Sequence, residues 1–451
     1  MRVTQTPVQT DVFTQSFDAV LDPAKLAHIW QNEGPRPRGH QPKLSGPQLV
    51  QGLTFHALAG PGTLAQHVKP LHGVDITDSA LTQRRQAAGF EVFRSIANQA
   101  LAPLADPLKH PHSFYGPWRL VALDGSQFSV ANTPQTLGRL NKAASRRFEA
   151  AFAKLPLSWM IEIGTHAPVA VEIGAEQESE WELSHRVLQR IQAGWIIIAD
   201  RLYGVGRFVN ELSIRCQSVD SQWLVRVREN LKSRAHEHLK DGSAIVSVGV
   251  SDPKRPSSKQ GEILVREIVG FVRHGSKRVQ VRLWTSLMDE ERYPASELLG
   301  LYVQRWEIEL ATREWKLELR GSELLQSHTV ETAAQELLCG MLALAVLARA
   351  RLEAAERGEV PPLRISFAKT HWILMGLWEV LQLGRDLLQP RQVEQLVDRA
   401  MSHIGNQALP KRRTRSCPRA VRQPIGRWPR VTSRTEQNES VQYEVISSAS
   451  V

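Results

Sequence analysis

Residues 195–200 read WIIIAD, an uninterrupted apolar run that ends in an acid. A short run without alternation is typical of a strand that is buried on both faces of a sheet. The helical pattern EWELSHRVLQRIQAG at 180–194 leads directly into it. The region therefore predicts a mixed α/β domain in which Asp200 ends a buried strand.

Two further features upstream also predict strands. In WRLVALDGSQFSV, residues 118–130, Asp124 follows four apolar residues and precedes Gly125, so we expect it at a strand end. The runs LSWMIEIG and PVAVEIGA flank a Gly-Thr-His-Ala turn and predict a hairpin. Because acids at the C-terminal ends of strands face the crevice where α/β sheets bind ligands, Asp124 and Asp200 are candidate site residues. A turn or helix-cap role is the alternative for each aspartate alone.

The stretch LYVQRWEIELATREWKLELR, residues 301–320, predicts a helix with one distinctive face. At 100° per residue, four polar residues fall within an arc of about 60°. These four are Tyr302, Arg305, Glu309 and Lys316. Glu307 and Glu314 fall off this face, as do Trp306 and Trp315, which we expect in the core. A salt-bridged amphipathic helix is the alternative.

Charge and composition narrow the class of protein. The 451 residues carry 56 Lys and Arg against 46 Asp and Glu, which gives a net charge of +10 and a pI near 9.7. This balance favours a polyanionic partner. The sequence contains neither GxxxxGK[ST] nor GxSxG, so nucleotide hydrolysis and serine-hydrolase chemistry have no support.

Cysteine usage and hydropathy indicate a cytoplasmic protein. Cys216, Cys339 and Cys417 are widely separated and form no CxxC pair, which argues against a disulfide framework and a zinc ribbon. The longest apolar run, at 337–348, has 12 residues, fewer than the roughly 20 that span a bilayer. We therefore expect a buried core helix at 337–348 and no membrane partner.

The first 112 residues predict a small helical domain, because apolar positions recur every three and four residues. Within it, DITDSALTQRRQAAGF at 75–90 places Asp78 or Ser79 at a helix N-cap and Arg84 and Arg85 early in the following helix. A short helix, a turn and a basic helix form the arrangement of helix-turn-helix DNA readers. A solvated amphipathic helix is the alternative, and this stretch alone favours it.

The residue composition changes twice in the second half of the chain. Between about 230 and 292, polar loops separate β-patterned runs, which predicts a β-rich insertion, and long helices are expected from about 295 to 400. Residues 411–434 carry nine Lys or Arg and no acid, which predicts a flexible basic tail. Its first residues, Lys411, Arg412 and Arg413, are expected to bind DNA phosphates, a solubilising role being the alternative.

Three segments together resemble the signature regions of bacterial insertion-sequence DDE transposases with the YREK motif. They are LDGSQ with Asp124, ADRLYG with Asp200, and Tyr-x2-Arg-x3-Glu-x6-Lys at 302–316. The segments follow the family's order, and the third motif is met without a gap. The resemblance implies an RNase H-like catalytic domain at 113–385, a helical DNA-binding domain at 1–112, and a C-terminal helical segment with the tail at 386–451. The predicted insertion falls among the 108 residues between Asp200 and Glu309.

The resemblance also implies a metal-dependent active site. Asp124, Asp200 and Glu309 are then the catalytic residues and the ligands of Mg²⁺, with Mn²⁺ as the alternative ion. Carboxylate oxygens suit these hard cations, and two ions roughly 4 Å apart stabilise the attacking and leaving oxygens of a phosphodiester displacement.

Other signature residues are expected to contact DNA. Arg305 offers phosphate a bidentate fork, Lys316 a point charge and Tyr302 a hydroxyl. Arg201, directly after Asp200, is expected either to touch DNA or to begin a helix.

Taken together, the resemblance implies a cut-and-paste transposase. It would cleave DNA at the terminal inverted repeats of its insertion sequence and join the 3′ ends to target DNA, as a homodimer that associates with the bacterial nucleoid when bound. Two alternatives stay open: a catalytically inactive DNA-binding derivative, and a metal-dependent DNA nuclease without strand transfer.

Overall fold

The computed structural model describes residues 12–36, 42–144, 149–228, 230–251, 259–274, 277–385, 387–410 and 442–445. The chain packs into two compact units. Unit 1 comprises residues 1–114, 124–190 and 307–408, and unit 2 comprises residues 115–123, 191–306 and 409–451. The units are defined by packing, whereas the predicted boundaries at 112 and 385 divide the chain by function, so those boundaries stay a prediction.

The described chain begins with six helices, continues with a region of strands and helices, and returns to helices after β11. The α-helices are α1 (Val12–Val20), α2 (Pro23–Glu33), α3 (Gly46–Leu58), α4 (Leu64–His72), α5 (Asp78–Ala88), α6 (Glu91–Ala100), α7 (Pro134–Arg139), α8 (Glu180–Leu188), α9 (Gly206–Ser218), α10 (Ala295–Val303), α11 (Trp306–Arg313), α12 (Val330–Arg357), α13 (Phe367–Leu383) and α14 (Pro390–Gly405). The strands are β1 (Phe114–Tyr115), β2 (Trp118–Val130), β3 (Lys142–Ala144), β4 (Glu149–Glu162), β5 (Pro168–Ile173), β6 (Trp195–Ala199), β7 (Gln222–Arg226), β8 (Arg234–His238), β9 (Ala244–Ser251), β10 (Lys259–His274), β11 (Lys277–Thr285) and β12 (Gln442–Val445).

Unit 2 is built on parallel strands. The first half of β2 pairs in parallel with β6 up to Leu123 and Ala199, and β6 pairs in parallel with β7. Every residue of β6 is buried, as its unbroken apolar run predicts. Antiparallel strands β11, β10, β9 and β8 continue from β7 and confirm the predicted β-rich insertion. Strand β12, which the sequence did not predict, pairs with β10.

Unit 1 combines a hairpin with a helical core. Strands β4 and β5 pair antiparallel across the predicted Gly-Thr-His-Ala turn, in which His166 has a φ of 60°. The centre of the unit is α12, whose apolar stretch at 337–348 is buried as predicted. Helices α3, α6 and α14 pack against it, so the helical character predicted for the N-terminal region is also confirmed.

The antiparallel β4–β5 hairpin, the parallel strands β2, β6 and β7 and the accompanying helices are the elements of an RNase H-like α/β domain. The predicted fold class is therefore confirmed. Cys216 and Cys339 are buried free thiols. None of the helices in the described residues is both long and apolar enough to cross a membrane.

Candidate active site

Asp124 lies within β2, so the predicted strand end was wrong. The pairing with β6 stops at Leu123, but β2 continues to Val130. Strand β4 is the other neighbour of β2 in the sheet. In addition, the N–H of Ser129 donates to the carbonyl of Glu323 at 2.9 Å, and the carbonyl of Ser129 accepts from the N–H of Leu325 at 2.8 Å. The half-buried Asp124 accepts the N–H of Gly125 on its Oδ1 at 2.9 Å.

Asp200 follows β6 and begins a tight turn. Its Oδ1 accepts the N–H of Arg201 at 2.5 Å, and its carbonyl accepts the N–H of Tyr203 at 3.0 Å. Tyr203 is fully buried, with its ring centroid 5.1 Å from that of Phe208, whereas Arg201 is exposed. The buried tyrosine anchors the turn and the exposed arginine faces solvent.

The glycine that closes the second signature segment has a steric reason to be there. A Cβ on Gly204 would lie 2.0 Å from the carbonyl oxygen of Arg226, at the end of β7. Since a backbone oxygen cannot swing aside as a side chain does, only glycine fits. This close approach fixes the loop after Asp200 against β7.

The hydroxyl of Tyr302, at the end of α10, points at Asp200. It donates to Oδ1 over 3.5 Å, and the side chains of Tyr302 and Arg305 are both buried. Burial raises the pKa of Tyr302 to about 12; Arg305 opposes this shift and Asp200 adds to it. The hydroxyl therefore stays protonated and donates to the carboxylate of Asp200. The sequence did not predict this role.

A charge pair in the insertion holds the beginning of α10. The fully buried Arg266 donates to the carbonyls of Leu287 at 3.0 Å and Tyr293 at 2.8 Å, and it forms an ion pair with Asp241. Asp241 in turn accepts the N–H of Ala295, the first residue of α10, at 2.8 Å. The insertion thereby fixes the helix that carries Tyr302. An arginine within the strand pattern of 263–272 was the available signal.

The predicted single helix over 301–320 was wrong at two positions. Helix α10 ends at Val303, a turn covers Gln304 and Arg305, and α11 begins at Trp306. A π-helix then runs over Glu314–Leu319. Since a constant step of 100° does not hold across these changes, helical geometry alone does not place the four motif residues on one face. Trp315 is fully buried, as predicted.

Glu309 and Lys316 lie on α11 and the π-helix. Glu309 is half-buried. The ammonium of Lys316 donates to the carbonyl of Gln127 at 2.9 Å, pairs with Glu323 at 3.2 Å and lies 4.9 Å from the ring centroid of Phe128. These contacts hold the π-helix against the second half of β2, a structural role beside the predicted phosphate contact.

A buried cluster of charges surrounds the first turn of α11 and the start of the π-helix. Glu307 and Glu314 both bind the imidazole of His166, and Arg351 binds Glu314. Burial alone would lower the pKa of His166, but the two glutamates outweigh it and raise it. The sequence did not predict this cluster. The spacing of seven residues between Glu307 and Glu314 was the signal that could have indicated it.

The predicted DNA-reading helix is α5, and its N-cap is Thr77, not Asp78 or Ser79. The hydroxyl of Thr77 accepts the N–H of Ala80, while Asp78 instead accepts the N–H of Ala65.

The two arginines of α5 differ in their surroundings. Arg85 donates to Gln335, to Ser327 and to the carbonyl of Thr332 within unit 1. These bonds give Arg85 a structural role within unit 1, and contacts of Arg84 and Arg85 with DNA stay predictions. Lys411, Arg412 and Arg413 lie outside the described residues.

The carboxylates have the right chemistry for a hard cation, since all three offer oxygen donors. In the described ranges, no three or more His, Cys, Asp and Glu side chains are already gathered as metal ligands.

The family of the chain follows from its sequence as a whole. Residues 119–346, just over half of the chain, match the family described as transposase DDE domain. The chain belongs to this family. The matched range of this DDE-domain transposase includes Asp124, Asp200, Glu309 and the insertion between them.

Two known transposases are similar to the protein. It is 25% identical over 369 residues to the transposase InsG for insertion sequence element IS4 of Escherichia coli (strain K12), with 80% of each chain covered. It is also similar to a chain of the cryo-EM structure of a piggyBac transposase synaptic complex with hairpin DNA, with a TM-score of 0.45 and 10% identity over 88% of this chain and 85% of that chain.

Proposed function

We propose that this DDE-domain transposase cuts DNA at the terminal inverted repeats of its insertion sequence and joins the freed 3′ ends to target DNA. The observation that supports this most is the register of the parallel strands. Leu123 pairs with Ala199, and the residue that follows each of them in the chain is an aspartate, Asp124 or Asp200. Carboxylates at the C-terminal edge of a parallel pair face the crevice where α/β sheets bind ligands.

In this proposal Asp124, Asp200 and Glu309 hold Mg²⁺ or Mn²⁺. The backbone N–H groups of Gly125 and Arg201 each orient one carboxylate oxygen of the preceding aspartate. When bound, the metal neutralises charge that develops during phosphodiester displacement. The chain's own contribution is to orient the three carboxylates, and the hydroxyl of Tyr302 does this for Asp200.

DNA is the proposed partner. Arg201, Arg305, Lys316 and Arg84 are proposed to contact phosphates near the cleaved strand or in the flanking duplex, and the tail beginning at Lys411 adds affinity without sequence preference. Two transposon ends require two active sites, so we propose a homodimer in the complex. The protein would work in the cytoplasm and associate with the nucleoid through DNA.

The test is cleavage of a duplex that carries the element's terminal repeat, with Mg²⁺, by the wild type and by Glu309→Gln. The variant should cleave at least about 100-fold more slowly, since disturbing even an outer partner of a metal ligand costs 10–100-fold. Its affinity for end DNA should stay unchanged. Glu318→Gln, which changes a neighbouring glutamate paired with Arg313, is the matched control and should cleave normally.

Each outcome separates the candidates. Normal cleavage by Glu309→Gln would refute the proposed active site. A wild type that binds end DNA and never cuts it would identify an inactive DNA-binding derivative. Cutting without joining to target DNA would identify a nuclease.

A further inference from the structure

Helix α11 is too short to fix its own orientation. It has 8 residues, with a turn before it and a π-helix after it. Isolated helices shorter than about 12 residues are marginal in water, so tertiary contacts must set where α11 lies. Glu309 depends on those contacts, because it is carried by this helix.

Two glutamates flank Glu309 on the opposite side of the helix. Glu307 and Glu314 both contact His166, so their side chains lie on the same side, whereas Glu309, two residues after Glu307 within α11, lies about 200° from Glu307 around the axis. The two flanking acids thus share one face, and Glu309 is on the other.

His166 joins the two acids of this rear face. Its Nε2 lies 2.9 Å from Oε2 of Glu307, and its Nδ1 lies 2.7 Å from Oε2 of Glu314. The imidazole is 2% exposed. One side chain therefore joins α11, which carries Glu309, to the first residue of the π-helix.

The rest of unit 1 holds this imidazole in place. The carboxylate of Glu314 also accepts from Arg351 of α12 at 2.9 Å, and Arg351 donates to the carbonyl of Thr165 at 2.8 Å. Glu162 accepts the Thr165 hydroxyl at 2.6 Å and the N–H of Ala105 at 2.9 Å. Arg351 thus ties the hairpin turn next to His166 to α12, and Glu162 ties the same turn to the backbone at Ala105.

We propose that His166 is a positioning residue for Glu309. By binding Glu307 and Glu314, His166 fixes the orientation of α11 and therefore the position of the Glu309 carboxylate. The proposal rests on the function proposed above for Glu309. It assigns no chemical step to His166, whose imidazole acts only through the helix.

The principal variant is His166→Asn. Asparagine tolerates the positive φ of this position, so the turn is preserved, but its side chain is too short to reach both glutamates. Mn²⁺ affinity, measured by EPR of free Mn²⁺ with end DNA present, should weaken about 10-fold, and single-turnover cleavage should fall about 10- to 100-fold. Affinity for end DNA should not change.

The matched control is His110→Asn. His110 is also a buried histidine of unit 1, paired with Glu356 at 3.3 Å and accepting the N–H of Asp106. Both variants remove a buried imidazole that contacts a glutamate, but the His110 variant should keep wild-type Mn²⁺ affinity and cleavage rate. Equal losses in both variants would overturn the proposal, because the effect would then be general destabilisation.

A second pair of variants covers the case in which His166→Asn does not fold. Glu307→Ala keeps the Glu314–Arg351 pair and should show the same two losses, and Glu307→Gln, whose amide oxygen still accepts from the imidazole, should restore most of both. The proposal would be overturned if the Ala and Gln variants did not differ.

Wild-type protein measured alongside separates the proposed function from the positioning role of His166. If the wild type neither binds Mn²⁺ nor cleaves, the proposed function fails as well. If the wild type does both and the variants match it, only the positioning role fails.

Discussion

The hydroxyl of Tyr302 lies 3.5 Å from Oδ1 of Asp200, although the two residues are 102 positions apart in the chain. The second and third signature segments therefore meet within unit 2. Arg266 and Asp241 of the insertion hold the start of α10, so the insertion helps to fix the position of the helix that carries Tyr302. The contact with Asp200 thus gives a structural reason for the tyrosine at position 302 of the motif.

Replacing Tyr302 by Phe should lower the cleavage rate about fivefold, because it removes one hydrogen bond of about 1 kcal/mol to Asp200 and leaves the buried ring in place. Single-turnover cleavage at saturating end DNA measures this. Tyr293→Phe loses a comparable bond, from the indole N–H of Trp118 at 2.9 Å, and should cleave at the wild-type rate. A Tyr302→Phe enzyme as fast as wild type would show that the contact does not orient Asp200.

Replacing Gly204 by Ala should destabilise the protein by roughly 2 kcal/mol or more, since its Cβ would meet the carbonyl of Arg226 at 2.0 Å. Denaturant titration measures the free energy of unfolding, and cleavage should fall in the fraction that folds. The control is Gly138→Ala in α7, where a Cβ meets nothing within 4 Å. That change should be neutral or stabilise by up to about 1 kcal/mol. Equal stability of the two variants would contradict the steric argument.

The acid sensitivity of the protein should depend on Glu314. Burial would raise the pKa of this carboxyl, but Arg351 and His166 outweigh it and lower the pKa from 4.5 to about 2. The stabilisation is therefore complete above about pH 4.5 and is lost as the pH falls toward 2. Over this window the wild type should lose up to about 3 kcal/mol more unfolding free energy than Glu314→Gln. Parallel profiles would argue against the cluster, and Glu291→Gln, in an exposed pair, should follow the wild type.

The basic tail should contribute to the salt dependence of DNA binding. Changing Lys411, Arg412 and Arg413 to Gln should flatten the slope of log affinity against log salt by about 0.9 for each phosphate that the variant no longer neutralises. Binding of end DNA and of unrelated DNA should weaken alike. Point changes are preferable to truncation, because a truncation would also remove β12. An unaltered slope would assign the tail a solubilising role only.

Patterns that depend on neighbouring residues were predicted well. The apolar runs before Asp124 and Asp200 identified β2 and β6, because parallel strands bury both faces and leave no alternation. The β-rich insertion and the buried helix α12 were found in the same way. The spacing of Tyr302, Arg305, Glu309 and Lys316 identified the family, because a chance match to all four positions is rare.

Features that depend on distant partners were not predictable. No glycine or proline marks the turn at Gln304 and Arg305, in which the side chain of Arg305 is buried. Within the π-helix, the ring centroid of Trp315 lies 4.6 Å from that of Phe128, a partner that is distant in the sequence. His166 is 141 residues from Glu307, beyond the reach of any periodicity.

The last described strand has a consequence for biosynthesis. One edge of β10 pairs with β9 along residues 259–267 and with β12 along residues 270–273. A chain whose synthesis stops before β12 would expose an open strand edge along residues 270–273 of β10, which is a template for association with other chains. We expect such a chain to aggregate, although Asp124, Asp200 and Glu309 are all present in it.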